Sequence, residues 1–456
     1  MGIDRKLFGT DGVRGTANIE PVTAETALKL GRAAAHIFKT TQKRRHQIVI
    51  GKDTRLSGYM LENALVAGIT SMGVDALLIG PLPTPGVAYI TRSLRCDAGI
   101  VLTASHNPYE DNGFKFFRHD GYKLDDAIEA QIEDLVFSGE IDSIRPVAEE
   151  IGKAYRIEDA LGRYIEFVKN SFPKGLTLDG MRIVADMANG AAYKSTPCVL
   201  HELGAETFIY GNTPNGTNIN VNCGSMHPEE VCRMVRFHGA HVGIAHDGDA
   251  DRLVLVDENG EIVDGDEVMA IAALDMLGHG TLRNRTLVAT EMSNAGLDEA
   301  ISRAGGTVVR TGVGDRYVIE EMMARDHNLG GEQSGHIIFR DHATTGDGLI
   351  SALQILRIMK EQQKPLSSLR QCLRRYPQEV RSIRVKSKPP LETMPEVMAE
   401  VESVRESLNG KGRVFLRYSG TEPKIRLLIE GDDQNRLREY SRRILGRITA
   451  AIGVES

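Results

Sequence analysis

One unit recurs three times in this chain, and no other feature constrains its fold as strongly. Ile48-Val49-Ile50-Gly51 reads as a short apolar strand, residues 61–72 as a helix, Gly73 as its end, and Asp75-Ala76-Leu77-Leu78-Ile79-Gly80 as a second strand. The order returns at Ile183-Val184-Ala185, a helix to Leu203, Gly204 and a strand over 206–211. It returns again at Leu287-Val288-Ala289, a helix to Ala304, Gly305 and a strand over 307–312. Glycine at each helix end admits the left-handed conformation without a side-chain clash. Parallel strands need a crossover between them, and a helix makes it with right-handed sense. Three copies in order predict three related α/β/α domains with mixed, largely parallel sheets.

At 456 residues the chain has room for these and one more. Residues 153–172 carry apolar side chains at Ile157, Leu161, Tyr164, Ile165 and Val168, a helical stripe suited to bridging two domains. Asp257-Glu258-Asn259-Gly260 is a hairpin turn between Leu253-Val254-Leu255-Val256 and Ile262-Val263. From Tyr376 the texture changes. A linker through Lys388-Pro389-Pro390-Leu391 leads to a helix over 394–408, strands over 414–416 and 425–430, and a closing helix over 436–452. The expected divisions are 1–152, 153–258, 259–375 and a smaller α+β domain over 376–456.

The strand Ala98-Gly99-Ile100-Val101-Leu102 runs into Thr103-Ala104-Ser105-His106-Asn107-Pro108. Ser105 thus stands just past a strand's carboxyl end, where open α/β sheets bind ligands, on a loop closed by an Asn-Pro turn. A serine that only bonds its own turn fits this hexamer equally well, so other loops must decide. Asp247-Gly248-Asp249-Ala250-Asp251-Arg252 follows another apolar stretch, and three carboxylates at alternate positions repel unless a cation joins them. A hard divalent cation with oxygen ligands is the natural partner; a solvated acidic turn is the alternative. An EF-hand is excluded, because its sixth position is Arg252 instead of glycine and an apolar strand follows. Three protein carboxylates leave room for a phosphate oxygen, which suits Mg²⁺.

Arg417-Tyr418-Ser419-Gly420-Thr421-Glu422-Pro423, with Arg426 beyond, offers hydroxyls, close backbone N–H groups and two guanidinium forks. That combination makes a nest for phosphate, whereas the loop without its arginines would be an ordinary hairpin. Gly330-Gly331-Glu332-Gln333-Ser334-Gly335-His336 brings together side chains able to read several sugar hydroxyls, although His336 could equally be structural. Phe8-Gly9-Thr10-Asp11-Gly12-Val13-Arg14-Gly15 is a glycine-rich loop whose Arg14 could clamp an anion. No Walker loop, dinucleotide fingerprint or nucleophile elbow is present, which removes support from kinase, dinucleotide and α/β-hydrolase readings.

Composition closes off other classes. A net charge of −7, no Trp and 5% aromatics exclude a single-stranded nucleic-acid platform. The basic groups Lys43-Arg44-Arg45 and Arg381, Arg384, Lys386, Lys388 read as solvated faces or linker. Five cysteines without a C-x-x-C pair fit a reduced cytoplasm better than disulfides or zinc. The charged start Met1-Gly2-Ile3-Asp4-Arg5-Lys6 lacks a secretion signal's apolar segment, and no window reaches the roughly 18 apolar residues of a membrane span. The expectation is a soluble cytoplasmic enzyme with no nucleic-acid or membrane partner.

Together these loops resemble the α-D-phosphohexomutase superfamily, from Phe8 to Arg426. The serine loop, continuing into Tyr109-Glu110-Asp111-Asn112-Gly113-Phe114-Lys115-Phe116-Phe117, and the aspartate loop are shared across it; the Gly-Thr-Asp-Gly, Gly-Glu-Gln-Ser-Gly-His and Ser-Gly-Thr-Glu-Pro loops point to the branch acting on glucosamine phosphates. Ala250 stands where the family often has glycine, and Tyr418 fills a variable slot; neither removes a functional group. The resemblance implies four domains around a central cleft, and a resting phosphoserine at Ser105 that passes its phosphoryl group to the sugar and recovers the other one from a bisphosphate. The implied net reaction is glucosamine 6-phosphate to glucosamine 1-phosphate, toward UDP-N-acetylglucosamine and cell wall. It also implies one Mg²⁺ held by Asp247, Asp249, Asp251 and the Ser105 phosphate, a sugar bisphosphate as activator, and a homodimer. Arg252 and Arg14 would add charge, Glu332 and Ser334 would hold sugar hydroxyls, and Arg417, Ser419, Gly420, Thr421 and Arg426 would grip the idle phosphate. His336 and Lys115 are the implied acid/base candidates. Alternatives are a phosphomannomutase/phosphoglucomutase, a phosphatase that hydrolyses its phosphoserine, or a silent sugar-phosphate-binding regulator.

Overall fold

The computed structural model describes residues 7–9, 11–39, 45–409, 412–418 and 424–453. In the first domain, β2 (Gln47–Lys52), β3 (Asp75–Pro81), β4 (Ala98–Leu102) and β6 (Ala154–Arg156) run parallel, and β5 (Asp111–Arg118) and then β1 (Val13–Thr16) extend one side, each antiparallel to its neighbour, in the order β1-β5-β4-β2-β3-β6. Helices α1 (Ala24–Phe38), α2 (Ser57–Ser71), α3 (Thr84–Ser93) and α4 (Asp126–Ser138) belong to this domain. Every residue of β4 is buried, which is why it reads as a continuous apolar run instead of alternating. The stripe over 153–172 divides: its start pairs with β3 as β6, and only α5 (Ala160–Lys169) is helical.

The second sheet, ordered β11-β10-β9-β7-β8, joins β7 (Arg182–Asp186), β8 (Glu206–Tyr210) and β9 (Val242–His246) in parallel. Its antiparallel end is β10 (Leu253–Asp257) and β11 (Ile262–Val263), and α6 (Ser195–Glu202) and α7 (Glu229–His238) make its crossovers. The first and second sheets therefore reach a few residues past the divisions expected at 152 and 258. The third domain opens with α8 (Gly265–Gly278). Its sheet orders β13-β12-β14-β15, from β12 (Thr286–Thr290), β13 (Thr307–Thr311), β14 (Leu329–Gly331) and antiparallel β15 (Ile337–Phe339). Helices α9 (Gly296–Arg303), α10 (Asp315–Ala324), α11 (Gly348–Gln362) and α12 (Leu366–Leu369) complete it. Three mixed, mostly parallel α/β domains are thus present, as the repeat requires.

The last domain is antiparallel, β16 (Gln378–Arg384) and β17 (Arg413–Tyr418) flanking β18 (Lys424–Glu430), with α13 (Pro395–Leu408) and α14 (Gln434–Ile452). The stretch read as a linker contains β16, whose polar sequence hid it. It is an edge strand, and most of its side chains are exposed or half-buried. One apolar core runs through the first three domains, from Val49 and Val101 through Tyr164 and Ile244 to Leu287 and Leu353. The fourth keeps a separate core around Val397, Val401, Ile425, Leu427 and Ile444.

Candidate functional site

Four of the loops singled out in the sequence follow β4, β9, β14 and β17 in the chain, and the Phe8–Gly15 stretch leads into β1. Ser105 is buried with φ +52°, a left-handed backbone that a non-glycine residue holds only when its surroundings dictate it. Here they do. Its N–H donates to Thr103 Oγ1 (2.9 Å), and its carbonyl accepts from Arg55 Nη2 (2.9 Å) and Asn220 Nδ2 (2.9 Å). Arg55 is fully buried, paired with Asp53 (2.8 Å), and also bonds the carbonyl of Asn107 (2.9 Å). The Ser105 hydroxyl donates to Asp247 Oδ2 (2.6 Å) and lies 3.3 Å from His106 Nδ1. Burial, then Arg252 and Arg14, push His106 down to about 4, so its ring is neutral at pH 7.

Asp247, Asp249 and Asp251 are buried on the loop after β9, with carboxylate oxygens within 4.8 Å of one another. Asp249 Oδ2 accepts from Thr84 Oγ1 (2.6 Å) and Lys115 Nζ (2.8 Å), and Asp251 Oδ2 accepts from Lys115 Nζ (2.9 Å). Among the described residues, Asp249 Oδ1 and Asp251 Oδ1 are buried with no hydrogen-bond partner. Burial, then the charges of Asp251 and Asp249, push Asp247 up to about 7. Orphaned buried carboxylate oxygens cost free energy that a hard cation would recover, so these residues fit a divalent ion. Lys115 reaches the cluster from β5 and is held well above the ordinary lysine range: burial opposes its charge, and Asp11, Asp249 and Asp251 outweigh burial.

The Gly331–His336 turn comes off β14. Leu253 N–H donates to the carbonyl of Gly335 (3.0 Å), and a Cβ on Gly335 (φ +92°) would lie 2.1 Å from the carbonyl oxygen of Leu253, so only glycine lets this loop rest on β10. Glu332 accepts from Gly314 N–H (2.9 Å) and from Ser334 Oγ (3.3 Å). Gln333 turns away toward Asp264 (3.5 Å) and Gln378 (3.3 Å), at the root of the fourth domain, and so separates from the group of sugar readers expected from the motif. His336 Nδ1 lies 3.7 Å from Asp251 Oδ2, and Gly346 N–H donates to its Nε2 (3.1 Å), leaving the neutral ring's proton on the side of Asp251. Burial opposes its charge, and Asp251 with Asp315 raises it above the usual imidazole range.

Arg14 pairs with Asp11, and Arg252 Nε stands 4.0 Å from Asp251 Oδ1. Arg417 on β17 faces Arg426 on β18 as a cross-strand pair. Burial, then Arg426, hold Arg417 below the ordinary guanidinium range, with Glu332 acting the other way. Ser419, Gly420 and Thr421, like Thr10, Lys43 and Arg44, lie outside the described residues. Several contributors escaped the sequence reading: Thr84, Arg55, Asn220, Lys123 and Asp315. Asp11 stood inside the quoted Gly-Thr-Asp-Gly loop without a role. The others carry no local signal, because each acts on a residue far away in sequence, and all but Arg55 on another domain.

Models of the phosphoglucomutase/phosphomannomutase family match the chain throughout: α/β/α domain I over residues 5–142, domain II over 162–260, domain III over 264–376 and the C-terminal domain over 379–446. The phosphoglucosamine mutase of Syntrophotalea carbinolica is 59% identical over 452 residues, 99% of either chain. The chain belongs to the phosphoglucomutase/phosphomannomutase family, on its phosphoglucosamine mutase branch. Among solved structures, the fold is similar to that of a family protein from Burkholderia thailandensis, with a TM-score of 0.82, 23% identity and 98% of each chain covered. It is also similar to the N-acetylphosphoglucosamine mutase of Aspergillus fumigatus in complex with GlcNAc-6P and magnesium, with a TM-score of 0.66, 16% identity, and 98% of this chain and 96% of that one covered. Membership makes the chain a phosphohexomutase, an isomerase, and among the described residues no helix is long and apolar enough to cross a membrane.

Proposed function

We propose that this chain interconverts glucosamine 6-phosphate and glucosamine 1-phosphate, with Ser105 carrying the phosphoryl group between the two positions of a sugar bisphosphate. The observation that carries the reading is the Ser105 hydroxyl donating to Asp247 at 2.6 Å, beside two carboxylates with orphaned oxygens, in a chain 59% identical to a phosphoglucosamine mutase along its whole length.

Phosphoryl transfer asks a protein for positioning and charge neutralisation more than for covalent help. Asp247, Asp249 and Asp251 would hold one Mg²⁺ with the Ser105 phosphate, and the ion would supply charge stabilisation to the transferring group. Arg55 and Asn220 hold the Ser105 backbone so that its oxygen stays aimed at one point. Arg14 and Arg252 add positive charge beside the aspartates. Glu332 and Ser334 take sugar hydroxyls in either orientation of the ring, and Arg417 and Arg426, with Ser419, Gly420 and Thr421, grip the phosphate that is not reacting. Lys115 and His336 handle the sugar hydroxyl's proton. The reading includes a sugar bisphosphate as activator, a cytoplasmic setting and a homodimer; sedimentation velocity of the purified chain checks the last.

Intact mass and peptide mapping test the centre of it. A phosphate on the Ser105 peptide, discharged by substrate, is expected, and Ser105→Ala abolishes turnover; near-normal turnover in that variant overturns the mechanism. Coupled assays with glucosamine, glucose and mannose 6-phosphates test the substrate. Equal or faster rates on mannose 6-phosphate would make phosphomannomutase the better description.

A further inference from the structure

Lys115, Asp251 and His336 also belong to a closed ring of acidic and basic side chains that spans three domains. Lys115 Nζ lies 3.3 Å from Asp11 Oδ2, and the other oxygen of Asp11 pairs with Lys123 Nζ. Lys123 also pairs with Asp315 Oδ2, which lies 3.5 Å from His336 Nε2. His336 Nδ1 is 3.7 Å from Asp251 Oδ2, and Asp251 Oδ2 returns to Lys115 Nζ at 2.9 Å. Asp11, Lys115 and Lys123 come from the first domain, Asp251 from the second, Asp315 and His336 from the third. All six side chains are at least three-quarters buried, Asp11 being the most exposed at 21%.

Both acid/base candidates are members of this ring. They share Asp251 on one side, and are joined on the other by Asp11, Lys123 and Asp315. From these contacts we infer that Lys123 and Asp315 are positioning residues: they complete the ring and so hold Lys115 and His336 in register across three domains. Without Lys123, Asp315 keeps only His336 among its described ion-pair partners and Asp11 keeps Arg14 and Lys115, so each of these largely buried carboxylates loses a counter-ion, a costly change. Asp11 then leans more on Lys115 and draws it from Asp249 and Asp251, and Asp315, no longer held by Lys123, shifts against the His336 ring and disturbs its spacing from Asp251. Displacements near 1 Å at such groups cost about 10²-fold in rate.

An ordinary clamp between domains is the competing explanation, and the neighbouring residue supplies the control. Arg316 joins the same two domains, donating to Glu129 Oε2 (3.2 Å) and the Leu124 carbonyl (2.9 Å), and among the described residues its hydrogen bonds and ion pairs go to Leu124, Asp126, Glu129 and Glu320 instead of to ring members. The inference rests on the mutase reading, and the test separates the two. Steady-state kinetics of the full-length Mg²⁺-loaded enzyme should show kcat falling about 10²-fold in Lys123→Met and in Asp315→Asn, with KM for the sugar phosphate little changed. Lys123→Arg should recover most of kcat. The double variant should be no worse than either single one, since both open the same ring. Arg316→Met should lower the melting temperature while keeping kcat. Lys123→Met and Asp315→Asn with normal kcat, or with losses matched by Arg316→Met, would reduce the ring to a clamp. If the wild type prefers another hexose phosphate, the substrate reading falls, while the kcat ratios on that sugar still test the ring.

Discussion

Asp249 divides its oxygens between two tasks, and that division predicts its behaviour. Oδ2 is saturated by Thr84 and Lys115, and Oδ1 has no partner among the described residues. Asp249→Asn keeps the volume and removes the charge, leaving Lys115 with fewer counter-ions and the proposed ion with a weaker ligand. We expect at least about a tenfold rise in the Mg²⁺ concentration for half-maximal rate, alongside a lower maximal rate. A magnesium titration unchanged from wild type would remove Asp249 from the metal site. Chelation of the wild type should abolish turnover, and added Mg²⁺ should restore it. Ser105 needs no intrinsic reactivity in this arrangement. Its left-handed backbone is held by Arg55 and Asn220, so its oxygen is placed before any ligand arrives.

Strands β17 and β18 do what neither arginine does alone. Antiparallel pairing in this register sets Arg417 directly opposite Arg426, and like charges so placed repel, which favours an anion between them. A phosphate held by both forks turns that repulsion into charge-assisted hydrogen bonding. Arg417→Gln should therefore raise KM for the sugar phosphate by about tenfold or more, corresponding to about 1.5–3 kcal/mol for a lost ionic hydrogen bond, and change kcat far less. Equal losses in kcat and kcat/KM would instead place Arg417 on the reacting group. The strand pair also explains why β16 was read as linker. An edge strand beside β18 needs backbone pairing and few apolar side chains, so periodicity barely marks it.

The first three domains share one apolar core, and polar side chains buried inside it couple folding to pH. Tyr164 on α5 donates to Asp347 Oδ2 (3.0 Å), while Asp347 Oδ1 caps α11 through Leu349 and Ile350. Burial pushes Asp347 up to about 6 from its ordinary 3.8. The folded state therefore keeps a proton that the unfolded chain releases, and stability falls as pH rises through the window between about 4 and 6. Asp347→Asn is neutral throughout and preserves the cap. Its stability relative to wild type should rise by up to about 3 kcal/mol between pH 4 and pH 7, read from chemical unfolding at both pH values. A difference that does not change with pH would mean that Asp347 is ionised at both. The fourth domain, with its own core, meets the third through polar contacts: Asn294 with Tyr376, and Glu430 with the N–H of Ala295.

Much of this protein was legible in its linear order. The repeated strand–helix–glycine–strand unit specifies the three α/β domains, because apolar periodicity and helix-ending glycines are local properties. Ser105, the aspartate triad, Glu332 and Arg417 could be singled out for the same reason: each stands in a short loop whose composition is unusual for a turn. What the chain order could not reveal is which loops meet. Thr84, Asn220, Lys123 and Asp315 act on partners in other domains, and Arg55 on a loop 50 residues away in its own, and nothing in the residues beside them marks those contacts. Gln333 shows the converse. Its motif suggested a sugar reader, yet packing directs it toward Asp264 and Gln378. Electrostatics follows the same division. The types of charge are written in the sequence, but whether a carboxylate titrates near 4 or near 7 depends on burial and on neighbours that only folding brings within a few ångströms.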